Sequence, residues 1–201
     1  MKVVSELSND AMWGVKQKAI RSILLLHKII PDYVMENTLE KLLSLTDDEN
    51  DVVRVMSVQS LGKLGKRIPE DKEEKIIKKL IELSFDFEWN VRRICALMIG
   101  ELIKKSENIP ESLNADVTER MLNLCDDRDW SVRDASARAI GGMGPMIPKT
   151  HMEDVISKLL KLTEDFDPSV RDSSVRSIKR LKFFVPRAMK GDVNNALELY
   201  E

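Results

Sequence analysis

The chain holds two histidines, His27 and His151, and two cysteines, Cys95 and Cys125. Zinc ligands recur a few residues apart, and a general base must lie within reach of a nucleophile and of a group that orients it. Neither the histidines nor the cysteines stand at such a spacing, so we expect no catalytic residue, no metal ligand and no cofactor. The cysteines fall on helical positions and read as reduced, packed side chains. Gly141-Gly142-Met143-Gly144-Pro145 is unlike a phosphate loop, because no strand precedes it and no Gly-Lys-Ser/Thr follows.

Charge, in contrast, recurs in a fixed frame. An Asp is followed five residues later by a Val and then by a basic residue in Asp10/Val15/Lys16, Asp48/Val53/Arg54, Asp86/Val91/Arg92, Asp127/Val132/Arg133 and Asp165/Val170/Arg171. On a helix the residue after a buried valine lies about 100° round the axis, still within the buried arc, where an unpaired charge is costly. Those basic residues are therefore expected to be paired inside the structure rather than to bind a ligand.

The valines are 38, 38, 41 and 38 residues apart, a period that signals an array of helical hairpins. Each copy closes on an apolar residue and a proline: Ile30-Pro31, Ile68-Pro69, Ile109-Pro110, Ile147-Pro148 and Val185-Pro186. Proline cannot continue a helix, so each is expected to end one. From every proline to the next valine is 22 residues, which puts the three extra residues of the third copy after Val91, in the polar Lys104–Asn108 loop. A first helix, A, shows apolar residues eleven, twelve and fourteen past the proline, as in Leu42/Leu43/Leu45 and Leu159/Leu160/Leu162. A second, B, follows the acidic turn and buries positions eight and eleven past the valine, such as Leu61 and Leu64. The first B helix is expected over 11–29. Small residues stand four past the valine (Ala19, Ser57, Cys95, Ser136, Ser174), and Gly62, Gly100 and Gly141 stand nine past it. Glycine inside a helix costs roughly 1 kcal/mol against alanine, so a close helix contact is expected there. Asn50, Asp129 and Asp167 read as caps, Pro168 taking the first helical position. Trp13, Trp89 and Trp130 share a repeat position and read as packing between repeats rather than as a stacking platform for bases.

Composition agrees with an all-α chain: 43% hydrophobic, 33% charged and 5% aromatic. A net charge of −2 argues against holding nucleic acid by bulk electrostatics, although a local basic stripe is compatible with it. No eighteen-residue apolar run or signal-length segment occurs, so no membrane association and a cytoplasmic location are expected. One hairpin buries too little apolar surface to fold alone, and neighbours must cover the rest.

The Asp, Val, Arg/Lys frame, with Pro or Trp two residues before the Val, resembles the HEAT repeat over residues 2–200. It is most similar to the regular 38–40-residue kind in the scaffold subunit of heterotrimeric Ser/Thr phosphatases, without that family's frequent proline inside helix A. The resemblance implies a right-handed α-α superhelix, a HEAT-type solenoid of about five repeats over 1–201. Its units fall at about 1–31, 32–69, 70–110, 111–148 and 149–186, with a polar capping helix at about 188–200. It also implies a ladder between neighbouring repeats in which Asp48, Asp86, Asp127 and Asp165 pair with Arg54, Arg92, Arg133 and Arg171.

HEAT arrays line their concave face with B helices. The outward B positions here carry Arg21, Lys28, Gln59, Lys63, Lys66, Arg67, Arg93, Lys104, Lys105, Arg138, Arg176 and Arg180, a mainly basic set, while acids collect in the A-to-B turns. Helix capping alone favours that segregation; the functional alternative is a groove for an acidic peptide or a phosphate backbone. The resemblance points to a non-catalytic scaffold or adaptor with a protein partner, an acidic peptide or protein surface fitting the charge. A nucleic-acid-binding, DNA-glycosylase-like protein is the competing class, weakened because the tryptophans belong to the repeat frame. An accessory subunit of a lyase-like or phosphatase-regulating complex is a third. At the front, Leu24 and Leu25 make an apolar face expected to pack on upstream repeats or on a second copy.

Overall fold

A computed structural model describes residue 6 and residues 10–106 and 109–200. Ten α-helices are found among them: α1 Trp13–Leu26, α2 Met35–Leu45, α3 Asp51–Leu64, α4 Glu70–Leu83, α5 Trp89–Lys105, α6 Glu111–Leu124, α7 Trp130–Met143, α8 Met152–Leu162, α9 Pro168–Leu181 and α10 Lys190–Glu198. There is no strand among the described residues. Val3, Val4 and Leu7, aligned above with the end of helix A in the next copy, lie outside the described residues, as do Glu107 and Asn108. The odd-numbered helices are the B helices and the even-numbered ones the A helices.

The chain divides into two compact units, Met1–Met98 and Ile99–Glu201, with the boundary inside α5. In the first, α3 packs against α1 and against its own hairpin partner α2. In the second, α9 packs against α7, α8 and α10, and α6 against α7.

The frame valines Val53, Val91, Val132 and Val170 are fully buried, and so are Leu61, Ile99, Ile140 and Ile178 eight residues on. In the first copy, however, Val15 and Leu26 are only partly covered. Along the A helices the eleventh and fourteenth positions past the proline are buried, whereas the twelfth (Leu43, Ile81, Leu122, Leu160) is half-buried. In α10 only Val193 is buried, and Asn194 and Glu198 are exposed.

Helix starts follow the caps. Asn50 accepts hydrogen bonds from the Val52 and Val53 amides, Asp129 from Ser131 and Asp167 from Ser169. The ends correct the expectation about proline. α3 stops at Leu64 and α7 at Met143, five residues before Pro69 and Pro148, where Gly65 (φ 47°) and Gly144 (φ 50°) turn the chain through a conformation that suits glycine alone. Proline instead starts the next helix. It holds Ile68 and Ile147 extended, and Pro69 and Pro110 stand directly ahead of α4 and α6. Part of the stretch expected as a loop in the third copy is helical: α5 has 17 residues against 14 in α3, α7 and α9, running on through the three positions that form the short turns Gly65–Arg67 and Gly144–Met146 in other copies. Lys104 and Lys105 are thus helical, with Lys105 paired to Glu101 one turn back at 3.3 Å.

Neighbouring B helices approach most closely at the repeated glycines. A Cβ on Gly141 would lie 2.8 Å from the Ser177 Cα, and one on Gly100 2.9 Å from the Ala139 Cα. One on Gly62 would meet only the Met98 side chain. The buried serines four past the valine tie each hairpin together: Ser136 donates to the Met121 carbonyl of α6 at 2.6 Å and Ser174 to the Leu159 carbonyl of α8 at 2.5 Å. Ser57 donates back to Val53 within its own helix.

Candidate functional site

Arg54 and Arg133 bond in two directions. Arg54 donates from Nη1 to the carbonyls of Asp48 and Glu49 at the head of its own helix, and grips Asp86 of the next turn through Nε (2.8 Å) and Nη2 (2.9 Å). Arg133 does the same with Asp127, Arg128 and the Asp165 carboxylate (2.7 and 2.8 Å). Arg92 and Arg171 bond the equivalent turn carbonyls. The aspartates also accept a backbone amide two residues on, as Asp127 does from Asp129 and Asp165 from Asp167. In the first copy Lys16 reaches Asp48 at 2.5 Å, a single contact in place of the fork. The Arg133 guanidinium holds the Asp165 carboxyl below the usual carboxylate range against the opposing effect of burial. The cations of the frame are occupied by structure.

A second set of pairs, not foreseen from the sequence, runs the other way along the A helices. Lys79 of α4 reaches back to Asp47 at 2.7 Å, and Lys158 of α8 to Asp126 at 2.5 Å. The signal was present: both lysines stand twelve residues before the frame valine and both aspartates six before it.

The outward B residues divide between the units. In the first unit Arg21, Lys28, Lys63 and Lys66 are exposed and Gln59 and Arg93 half-buried. Arg21 of α1 and Gln59 of α3 share one repeat position, and Lys28 and Lys66 share another, in the turns that follow those helices. None of the four exposed cations forms an ion pair among the described residues. α1 contains no carboxylate, and the only one in α3, Asp51, accepts from the Asn90 side chain at 2.9 Å. Arg67 is different, since its guanidinium clamps the preceding loop through the His27 and Ile30 carbonyls and Asp32. Between Arg21 and Lys28, Leu25 stands 74% exposed, and Ile29 follows at 73%.

In the second unit Lys104, Arg138, Arg176 and Arg180 are exposed. The last three line a slot of about 420 Å³ between α7 and α9, shared with Trp130, Asp134 and Asp172. The aspartates were missed in a reading that looked for cations. They stand two past the valine, one helical turn before the arginines, and pair with them: Asp172 with Arg176 at 2.9 Å and, loosely, Asp134 with Arg138 at 3.6 Å. The tryptophans also depart from expectation. Trp13, Trp89 and Trp130 are about half exposed (51%, 45% and 48%), because a residue two before the buried valine lies roughly 200° round the helix from it.

Among the described residues no group of three His, Cys, Asp or Glu side chains could hold a metal ion. His27 Nδ1 lies 2.7 Å from the Leu24 carbonyl and His151 Nδ1 3.1 Å from the Thr150 hydroxyl. Cys95 and Cys125 are buried, and burial pushes the Cys125 thiol up to about 12. No helix among the described residues is long and apolar enough to cross a membrane.

Comparison with known proteins fits this geometry. No curated protein matches in sequence. Solved structures do match in fold. A designed armadillo repeat protein in complex with the peptide (KR)4 superposes with a TM-score of 0.70 at 18% identity, over 98% of this chain and 87% of that one. An engineered protein of the Northeast Structural Genomics Consortium gives 0.65 at 15% identity, over 97% and 94%. The complex of CpcE and CpcF of phycocyanin lyase from Nostoc sp. PCC7120 gives 0.63 at 19% identity, over 88% and 96%. These likenesses show an α-helical repeat fold. A profile described as HEAT repeats matches residues 74–179, more than half of the sequence, and on that match the chain belongs to the HEAT-repeat family.

Proposed function

We propose that the chain is a non-catalytic interaction scaffold that takes an acidic segment of a partner protein on the outward face of α1 and α3. One observation carries this reading: Arg21 of α1, Lys63 of α3, and Lys28 and Lys66 in the turns after those helices are exposed and lack any ion-pair partner among the described residues. The frame cations and Lys79 and Lys158 are held by carboxylates, whereas this group of cations keeps its charge for a ligand, which marks a surface with unused attraction. The exposed Leu25 and Ile29 add apolar area beside them. A designed armadillo repeat protein of the same fold holds the basic peptide (KR)4; the charge here calls for the opposite ligand.

The test is fluorescence anisotropy of a labelled Glu/Leu peptide against the full chain, with a Lys/Leu peptide and a DNA duplex of matched length alongside. The acidic peptide binds, the basic one does not, and Lys63→Glu/Lys66→Glu weakens binding by about tenfold or more, since each lost contact to a charged group is worth roughly 1 kcal/mol. Tighter binding of the duplex, with a steep salt dependence lost in the same variant, transfers the surface to nucleic acid. No binding of either ligand at low salt ends the proposal.

A further inference from the structure

The slot between α7 and α9 in the second unit differs in kind from the open face of α1 and α3. Each of its carboxylates has a partner. Asp134 receives the Ser173 hydroxyl at 2.5 Å and stands beside Arg138, and Asp172 holds Arg176. Its donors are not all used. A guanidinium carries five N–H groups; Arg176 engages Asp172, Arg138 has one loose contact, and Arg180 has no ion pair among the described residues. Arg138 and Arg176 keep 58% and 70% of their side-chain surface in solvent although they line a cavity. The slot thus offers surplus hydrogen-bond donors and positive charge, with the half-exposed indole of Trp130 at its other end.

We propose that this slot binds a phosphorylated serine or threonine of a partner peptide, the phosphoryl group lying among Arg138, Arg176 and Arg180. A carboxylate has two oxygens and satisfies one guanidinium fork. A phosphoryl group presents three acceptor oxygens and nearly two charges, which is what several guanidinium groups around one cavity can use together. The slot also sets a spacing. Trp130 and Arg138 are eight residues apart on one helix, roughly 12 Å along its axis, a distance that about four residues of extended peptide cover. An apolar side chain three or four residues from the phosphorylated one is therefore placed against Trp130. The inference rests on the reading of the B-helix surface as a protein-interaction surface, and it adds a second, chemically distinct contact to it.

The probe is a labelled, otherwise uncharged peptide with one phosphoserine and a leucine four residues away, titrated into the full chain. Its unphosphorylated form, its Ser→Glu form and O-phosphoserine alone serve as comparisons. The phosphopeptide binds at least about tenfold tighter than the unphosphorylated and Glu forms; R138Q and R180Q, both at exposed positions, each remove most of that advantage, and moving the leucine to the adjacent residue weakens binding. Equal binding of the Glu form, displacement by O-phosphoserine as effective as by the peptide, or indifference to R138Q/R180Q overturns the proposal, as does the absence of binding. The Lys63→Glu/Lys66→Glu variant separates the two readings. If the acidic peptide still depends on those lysines while the phosphopeptide fails, only the slot is lost.

Discussion

Replacing a helical glycine by alanine normally stabilises, by roughly 1 kcal/mol, because alanine loses less backbone entropy on folding. Gly62 and Gly141 occupy the same repeat position in α3 and α7, nine residues past the frame valine, and both are buried, yet the structure predicts opposite results for them. At Gly62 the new methyl group meets the Met98 Sδ, with the Cγ at 2.8 Å and the Cβ at 3.0 Å, and no backbone atom among its nearest neighbours. Methionine has three rotatable bonds and can swing away at a cost of about 0.5–1.5 kcal/mol, so G62A is close to neutral. At Gly141 the methyl group lies 2.6 Å from the Ser177 Cβ and 2.8 Å from its Cα. No rotamer moves a Cα, and α7 and α9 must separate by several tenths of an ångström. That movement costs about 1–3 kcal/mol of packing and strains the Ser177 hydrogen bond to the Ala137 carbonyl, itself worth about 1 kcal/mol. After the propensity gain is subtracted, G141A destabilises by about 1–3 kcal/mol. Urea unfolding followed by circular dichroism reads the difference as a lower midpoint for G141A and an unchanged one for G62A. Adding S177G to G141A removes the Cβ and hydroxyl clashes and restores part of the loss. Equal destabilisation by G62A and G141A, or a neutral G141A, would refute the reasoning.

The ladder gives a pH signature: because Arg133 holds Asp165 below the ordinary carboxyl range, the stability it contributes is complete above about pH 4 and falls as pH drops through the depressed folded value. R133M therefore lowers stability at pH 7 by an amount that shrinks steadily below pH 4, and a difference that stays constant down to about pH 2 would contradict this. Lys16→Arg, which can form the fork to Asp48 and reach the Asp10 and Ala11 carbonyls as Arg54 does in its own copy, raises the unfolding midpoint by an amount matching about 0.5 kcal/mol; a fall would show that the first copy does not share the geometry of the second. Burial lifts the Cys125 thiol to about 12, so a disulfide reagent at pH 8 labels it only as fast as the second unit opens, and immediate labelling of the folded chain would be the contrary result.

How much of this was legible follows from what a period can and cannot encode. A repeat fixes which residue stands opposite which, so the frame residues, the close approach at Gly62, Gly100 and Gly141, and the outward set on α1 and α3 could be read from offsets alone. Helix ends could not. Both proline and glycine interrupt helices, and only backbone geometry shows that Gly65 and Gly144 do the stopping while Pro69 merely precedes the next start. The end of α5 was misread for a related reason. Lys104 and Lys105 are polar and resemble a loop, yet they continue the helix directly after the fully buried Ile103. Asp134 and Asp172 were lost because only the cations of each helix were sought, whereas pairing with a carboxylate one turn away decides how much charge remains.

The positions of a B helix therefore carry separate duties. The residue after the valine belongs to the ladder, those four, eight, nine and eleven past it belong to packing, and those six and thirteen past it are left to solvent. In the first unit nothing in the fold uses the charge at the solvent positions, so Arg21, Lys28, Lys63 and Lys66 can be altered without touching a structural contact. In the second unit the aspartates two past the valine draw on the arginines of the same face, and only Arg180 is left wholly outside that pairing. Binding and folding should then separate by position. Charge reversal at Lys63 and Lys66 weakens acidic-peptide binding while leaving the urea midpoint where it was. R133M does the reverse, lowering the midpoint and sparing the peptide affinity. A Lys63→Glu/Lys66→Glu variant that unfolds as readily as R133M would mean that those lysines hold the fold together, and the surface assigned to a partner would have to be sought elsewhere.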